Sequence, residues 1–476
     1  MLSEDMFKNR AVLDNPWWNT GTVAPEFEKS TPRHLLSEYL RRLLQENGPR
    51  RAVLLMGPRR VGKTWLMQHA IRRLLDGHDA DPGRILYFSL DVPVYHGIGL
   101  EELVHAAASI TGADPAKDRI FAFFDEIQYL KDWETHLKAL VDAYPNIRFA
   151  ASGSAASALA TGSRESGAGR FSDLLLGPLS FREFVELKGL AHHFGRQSID
   201  TADGRVEVAA AESVEQANKL FVAYANAGGY PELVLHAGSE SDAAQLVQRD
   251  IVDKVLLRDL PSLYHVEDVR DLQAFFSYLA FHTGSVQSYE SLSMGAGLTK
   301  HAVGNFLHYL EDAFLVVRHD RIDVNASSLR RAMQFKLYLT NASLRAAMFQ
   351  PVLENADPMF GNVVETAVSG QLGFGPNRTA WRYANWKKGR SQGEVDFVRL
   401  HPGTLKPEVC IEVKWSDGPF DHVSELDMAL DFVRRNGLRT LWATTRTQQG
   451  TRRKGDLEIQ FVPTSLLAYS LPEATP

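Results

Sequence analysis

The chain has 476 residues, of which 44% are hydrophobic and 23% charged, with a formal charge of -6. That length holds two or three domains of ordinary globular balance, and the acidic excess excludes a generally basic nucleic-acid coat while leaving room for local basic patches. One cysteine, Cys410, excludes an internal disulfide framework, and no export-type opening or long apolar run is present, so a cytoplasmic protein without a membrane span is expected.

Residues 1–30 read as an N-terminal arm. Its Pro16-Trp17-Trp18 either packs the arm onto a core or stacks on a base. An apolar stripe over 33–47 predicts an amphipathic helix with Thr31 as a cap, ended by Asn47-Gly48-Pro49. The apolar run Ala52 to Met56 predicts a buried strand. It leads into Gly57-Pro58-Arg59-Arg60-Val61-Gly62-Lys63-Thr64, and a helical pattern opens at Trp65. This is the Walker A spacing in its strand-loop-helix setting. Gly57 and Gly62 let backbone N–H groups turn inward on a phosphate, and the helix start adds its positive end. Lys63 is then placed for the β and γ phosphates, and the Thr64 hydroxyl for Mg²⁺.

A strand is expected over 84–90 and a helix over 100–110. Five apolar residues then end in Asp125-Glu126, the Walker B pattern of a strand buried on both faces. Asp125 is placed to hold the Mg²⁺ shell and Glu126 to polarise the attacking water. After a helix from Asp132, the strand Asn146 to Ser154 brings a hydroxyl beside Walker B, either Ser152 or Ser154. The segment 160–173 reads as a mobile loop. Its Arg164 and Arg170 are either solvated charges or fingers reaching a neighbouring copy's phosphate.

Ser180 and Glu183 form a capping box for the next helix. Residues 195–212 read as a polar excursion. A helical lid resumes near Val214, breaks at Gly228-Gly229-Tyr230-Pro231 and runs to about Leu257. Its Arg249 and Arg258 either sense nucleotide or form salt bridges. Over 268–320, three helices and a strand give a winged-helix layout capped at Thr299. The last helix exposes Lys300, His301, Asn305 and His308 toward either DNA or a docking partner.

The C-terminal stretch carries a second constellation. A helix over 361–372 bears Glu365, one strand bears Glu394 and Asp396, and the next bears Glu412 and Lys414. A strand period of two lets Asp396, Glu412 and Lys414 converge. Such carboxylates suit Mg²⁺ or Mn²⁺, with Glu365 as a further ligand and Lys414 orienting or deprotonating a water. Whether the basic run Arg446, Arg452, Arg453 and Lys454 faces DNA is left open.

Taken together, Gly57 to Thr64, Asp125-Glu126, Gly153-Ser154, Gly177 to Phe184, Gly228 to Glu232, Gly393 to Phe397 and Glu412-Val-Lys414 resemble the prokaryotic AAA-type ATPases with a C-terminal PD-(D/E)xK nuclease-like domain. The resemblance implies an α/β chain with five parts. These are the arm (1–30), a P-loop core (31–190), a helical lid (191–265), a winged-helix-like unit (266–325) and a restriction-endonuclease-like domain (326–476). It implies ATP and Mg²⁺ at Gly57 to Trp65, Asp125 and Ser154, hydrolysis through Lys63 and Glu126, and a finger at Arg170. It also implies a nuclease-type site with Glu365, Asp396 and Glu412 as metal ligands and Lys414 beside them. DNA, further copies of the chain and a protein are the expected partners. Cutting and silent binding both remain readings of the last domain.

Overall fold

The computed structural model describes residues 4–154, 169–236, 240–324, 334–354, 359–375, 377–388 and 391–471. Two compact units follow one another, Met1–Leu176 and Gly177–Pro476.

The first unit is built on five parallel strands: β1 (Ala52–Gly57), β2 (Ile85–Ser89), β3 (Ile120–Asp125), β4 (Ile147–Ser154) and β5 (Phe171–Leu175), in the order β2-β3-β4-β1-β5. β1 and β3 are buried along their whole length, as expected of inner parallel strands covered on both faces. Helices Lys63–Asp76, Leu100–Thr111 and Trp133–Ala143 connect them, and Phe88, Phe124 and Phe149 stack across the sheet. β5 corrects the expected loop over 160–173: its last residues form the edge strand beside β1, from Ala52 opposite Phe171 to Met56 opposite Leu175. Arg164 lies outside the described residues.

The arm is part of this unit, and its tryptophans pack. Trp17 is fully buried, and both Trp17 and Trp18 donate their indole N–H to the Ile85 carbonyl, at 3.0 and 2.8 Å. Asn15 donates to the Tyr87 carbonyl at 2.9 Å and accepts from its N–H at 2.7 Å. A side-chain amide thus stands in for a sixth strand on the open edge of β2 and blocks edge pairing there. The helix expected over 33–47 is shorter, Leu36–Leu43, and Thr31 does not cap it. This leaves Arg33 outside the helix.

In the second unit, the stretch expected to be a polar excursion is a hairpin of β6 (Phe194–Thr201) and β7 (Gly204–Ala211). The capping box at Ser180 and Glu183 is present on helix Phe181–Leu187. Helices Val269–Phe281, Tyr289–Ala296 and Lys300–Asp312 make the winged-helix-like region, and the Thr299 side chain caps the last of them. Lys300 reaches Glu290 at 3.2 Å, and His308 lies 3.3 Å from Asp312.

A nine-stranded sheet dominates the unit. Its strands are β8 (Val286–Gln287), β9 (Val316–Ile322), β10 (Phe335–Leu339), β11 (Trp381–Lys388), β12 (Ser391–Leu400), β13 (Pro407–Glu412), β14 (Thr440–Thr445), β15 (Gly450–Lys454) and β16 (Leu457–Pro463). Their order is β15-β16-β14-β13-β12-β11-β9-β10-β8. β9 pairs with β10 antiparallel and with β11 parallel, so one sheet runs across the expected boundary at 325/326. Val409, Ile411 and Val413 enter one apolar core with helices Phe360–Leu372 and Thr464–Ser470. Cys410 enters another with helix Asp427–Arg435. Of the basic run, Arg446 follows β14 and pairs with Glu354 at 2.7 Å, while the rest lies on the exposed edge strand β15: Arg452 covers the Phe420 ring, Arg453 is 3.6 Å from Glu458, and Lys454 pairs with Asp427.

Candidate functional site

The loop after β1 closes on its own lysine. Lys63, almost fully buried, donates to the carbonyls of Gly57 at 3.1 Å and Pro58 at 2.9 Å. A Cβ on Gly57 would lie 2.0 Å from the Leu176 carbonyl oxygen, so only glycine fits there, and Gly62 takes a left-handed φ of 92° at the helix start. Arg33, freed by the shorter helix, donates to the Val61 carbonyl at 2.5 Å and ties the loop from outside. Arg60 is exposed with φ of 60°. Trp65 sets its ring edge-on to Phe27 at 4.7 Å, so it holds the arm.

Asp125 ends β3 beside this loop and gathers hydroxyls. Thr64 donates to its Oδ2 at 2.6 Å, Tyr87 to the same oxygen at 2.8 Å, and Ser152 to its Oδ1. The Glu126 N–H donates to Ser152 at 3.2 Å, and Gln128 donates to the Glu126 carboxylate. Glu126 has φ of 53°, an uncommon region for this residue type, which turns the chain sharply after the strand. Of the two candidate serines, Ser152 is the one bonded to Asp125. Ser154 lies opposite Gly57 in the β1–β4 register, and its side chain is outside the described residues. Mg²⁺ fits this set: the Thr64 hydroxyl and the Asp125 carboxylate are in mutual contact at the start of the phosphate-loop helix, and both are oxygen donors.

Arg170 sits next to Phe171, which is opposite Ala52, whereas the phosphate loop follows Gly57 at the other end of the same strand. It pairs with Asp142. In its own chain Arg170 is therefore remote from the phosphate loop.

The second constellation assembles around a residue that the sequence reading passed over. Lys336 on β10 is 3% exposed and reaches three carboxylates, Glu365 at 3.1 Å, Glu394 at 2.5 Å and Asp396 at 2.8 Å. Tyr338, two residues on, donates to Glu365 at 3.0 Å. The other Asp396 oxygen accepts the Val413 N–H at 2.9 Å. Glu412 takes Lys414 at 2.8 Å and the Asp396 N–H at 3.4 Å. Burial raises Glu365 to about 7 and Glu412 to about 8, with the Asp396 charge adding to both. Burial would raise Asp396 too, but the Lys336 and Lys414 charges hold it below its ordinary value. Burial alone would lower Lys336 and Lys414, and their carboxylate neighbours more than offset this, so both are raised.

Glu365, Asp396, Glu412 and Lys414 thus come together, with Lys336 among them. Among the described residues, no group of three or more His, Cys, Asp or Glu is placed to hold a metal ion. The expected Glu365, Asp396 and Glu412 ligand set is instead closed on ammonium groups. The signal that would have found Lys336 is a lone lysine at period two with a tyrosine in the apolar strand FKLYL.

Two segments match known families: residues 49–185 match "AAA domain", and residues 218–354 match a domain of unknown function. An uncharacterized protein of Haemophilus influenzae is 22% identical over 316 residues, covering 64% of this chain and 71% of that protein. An uncharacterized protein of Methanocaldococcus jannaschii is 25% identical over 392 residues, covering 77% and 76%. Among solved structures, the Aeropyrum pernix ORC1 protein in complex with DNA is 13% identical, with 70% of this chain and 95% of that one covered and a TM-score of 0.30. The Aeropyrum pernix ORC2 protein is 14% identical, with 70% and 96% covered and a TM-score of 0.38. Likeness at this level carries no weight for function. The first unit is an AAA-type P-loop domain by its family match and its site, and no helix among the described residues is long and apolar enough to cross a membrane.

Proposed function

We propose that the chain binds ATP with Mg²⁺ at the first unit and hydrolyses it, and that nucleotide state governs contacts made by the second unit. The observation that carries this reading is the Thr64-Asp125-Ser152 hydroxyl and carboxylate set beside a phosphate loop closed on Lys63. Thr64 and Asp125 would hold Mg²⁺, which when bound neutralises phosphate charge. Lys63 leaves the Gly57 and Pro58 carbonyls for the β and γ phosphates, and loop N–H groups receive the remaining oxygens. Glu126 takes the proton of the attacking water, and Gln128 aims its carboxylate. Ser152 holds Asp125 in place. A finger role falls to Arg170 only toward a neighbouring copy, which makes a homo-oligomer the matching assembly.

The test is ATP hydrolysis by the purified protein. Lys63→Ala is expected to lose nucleotide binding. Glu126→Gln is expected to bind ATP and hydrolyse it ~10²-fold more slowly or worse. A wild-type rate in Glu126→Gln would sink the assignment.

For the second unit, the order helix with Glu365, strand with Asp396, strand with Glu412 and Lys414 supports a restriction-endonuclease-like reading. The ammonium among the carboxylates favours a domain that binds DNA or a protein partner without cutting. Plasmid cleavage that Asp396→Ala abolishes would reverse that preference.

A further inference from the structure

We propose that Lys336 is a built-in counter-cation: its ammonium takes the place a divalent ion would need among Glu365, Glu394 and Asp396, so the cluster is complete without metal. This concerns the second unit alone and does not rest on the ATP reading.

The hydrogen-bond count is the first support. An ammonium has three donors. Three carboxylates lie within 3.1 Å of the Lys336 nitrogen: Glu365 and Asp396 accept hydrogen bonds from it, and Glu394 pairs with it at 2.5 Å. The second support is acceptor use. Both oxygens of Asp396 already accept, one from Lys336 and one from the Val413 N–H. Both oxygens of Glu412 accept as well, from Lys414 and from the Asp396 N–H. A hard divalent ion asks for about six oxygens, several of them on these same atoms. It would also have to sit against a fixed positive charge at contact distance.

The third support is where Lys336 comes from. It stands on β10, which is paired on both sides, opposite His319 on β9 and Val286 on β8. The carboxylates come from the helix Phe360–Leu372 and from β12. The ammonium therefore joins three elements that are distant in sequence, and withdrawing it leaves the buried Asp396 and the partly buried Glu365 and Glu394 carboxylates facing one another. Metal-site residue types are present, but their geometry is that of a salt-bridged core.

The experiment is Mn²⁺ binding to the full-length, nucleotide-free chain. Loss of the free-ion paramagnetic resonance signal is read for wild type, Asp396→Asn, Lys336→Met and the double variant. In wild type, no binding that depends on Asp396 is expected. Lys336→Met should gain a site at least about tenfold tighter than any in wild type, and the double variant should lose it again. The melting temperature of Lys336→Met should fall below wild type and rise with Mn²⁺ by more than any rise in wild type, the excess being lost in the double variant. Tight wild-type binding abolished by Asp396→Asn would overturn the proposal, as would a folded Lys336→Met that gains no site. If Lys336→Met does not fold, the comparison of wild type with Asp396→Asn still decides. ATP hydrolysis is read separately, so failure here leaves the nucleotide assignment standing.

Discussion

Asp125 and Asp396 are both buried aspartates on inner strands, 2% and 3% exposed, and their surroundings are opposite. Asp125 accepts from the neutral hydroxyls of Thr64, Tyr87 and Ser152. Asp396 accepts from an ammonium and a backbone N–H, with Lys414 close behind. Hydroxyls orient a carboxylate and leave its charge available to an arriving cation. A fixed ammonium consumes that charge. Two acid clusters of similar residue type therefore differ in what they await, and the difference lies in the donors rather than in the acids.

The largest expected effects separate the two sites by readout. Asp125→Asn should cost ATP hydrolysis ~10²-fold or more and lower stability by roughly 1–3 kcal/mol, because the amide keeps one acceptor oxygen for hydroxyls that bond both in wild type. Asp396→Asn should leave hydrolysis unchanged and lower stability by roughly 3–5 kcal/mol, since it strips one partner from a buried ammonium. Parallel ATPase assays and urea unfolding check both. A large stability loss in the first variant with none in the second would erase the contrast.

The two sites also differed in how readable they were. The phosphate loop is legible because its parts are local: Gly57 to Thr64 lie in one short run, and Asp125-Glu126 ends one apolar strand. The acidic cluster was half legible. A strand period brought Asp396, Glu412 and Lys414 together, but Lys336 reaches Glu365 and Asp396 across 29 and 60 residues, and no local pattern carries such a pairing. Two further misses have the same root. The hairpin β6–β7 holds few large apolar residues, Phe194, Ile199, Val206 and Val208, so little marked it as strand. β9 looked like the end of the winged-helix-like region because its partner β11 begins about sixty residues later.

A smaller effect tests whether the second sheet tolerates new charge. His319 on β9 is fully buried, bonds Ser369 at 2.8 Å and is pushed down to about 4 by burial, with the Trp381 backbone offsetting part of this. Folding therefore holds this ring neutral where the unfolded chain would protonate it. The associated stability is fully present above the ordinary value near 6.5 and is lost as pH falls toward 4, in all by roughly 3 kcal/mol. In His319→Gln, the urea midpoint should fall less between pH 7.5 and pH 5 than in wild type. Equal slopes would show that the sheet reorganises around a charged ring, and its lysine-closed core would then be less rigid than its salt bridges imply.

The smallest expected effect is at Tyr87, which the sequence reading did not single out. Its hydroxyl shares Oδ2 of Asp125 with Thr64. Were Thr64 to turn to Mg²⁺ as proposed, Tyr87 would be the hydroxyl left on that oxygen and Ser152 would keep the other. Because two hydroxyls still orient the carboxylate before nucleotide arrives, Tyr87→Phe should cost about 1–2 kcal/mol of stability, the worth of one hydrogen bond to a charged group. ATP hydrolysis should change less than about tenfold. The comparison with Asp125→Asn is then informative in both directions. A matching collapse of hydrolysis in Tyr87→Phe would mean that Asp125 needs that particular donor. The hydroxyl set would then be a tuned part of the metal shell, as specific as the ammonium beside Asp396, rather than a neutral scaffold.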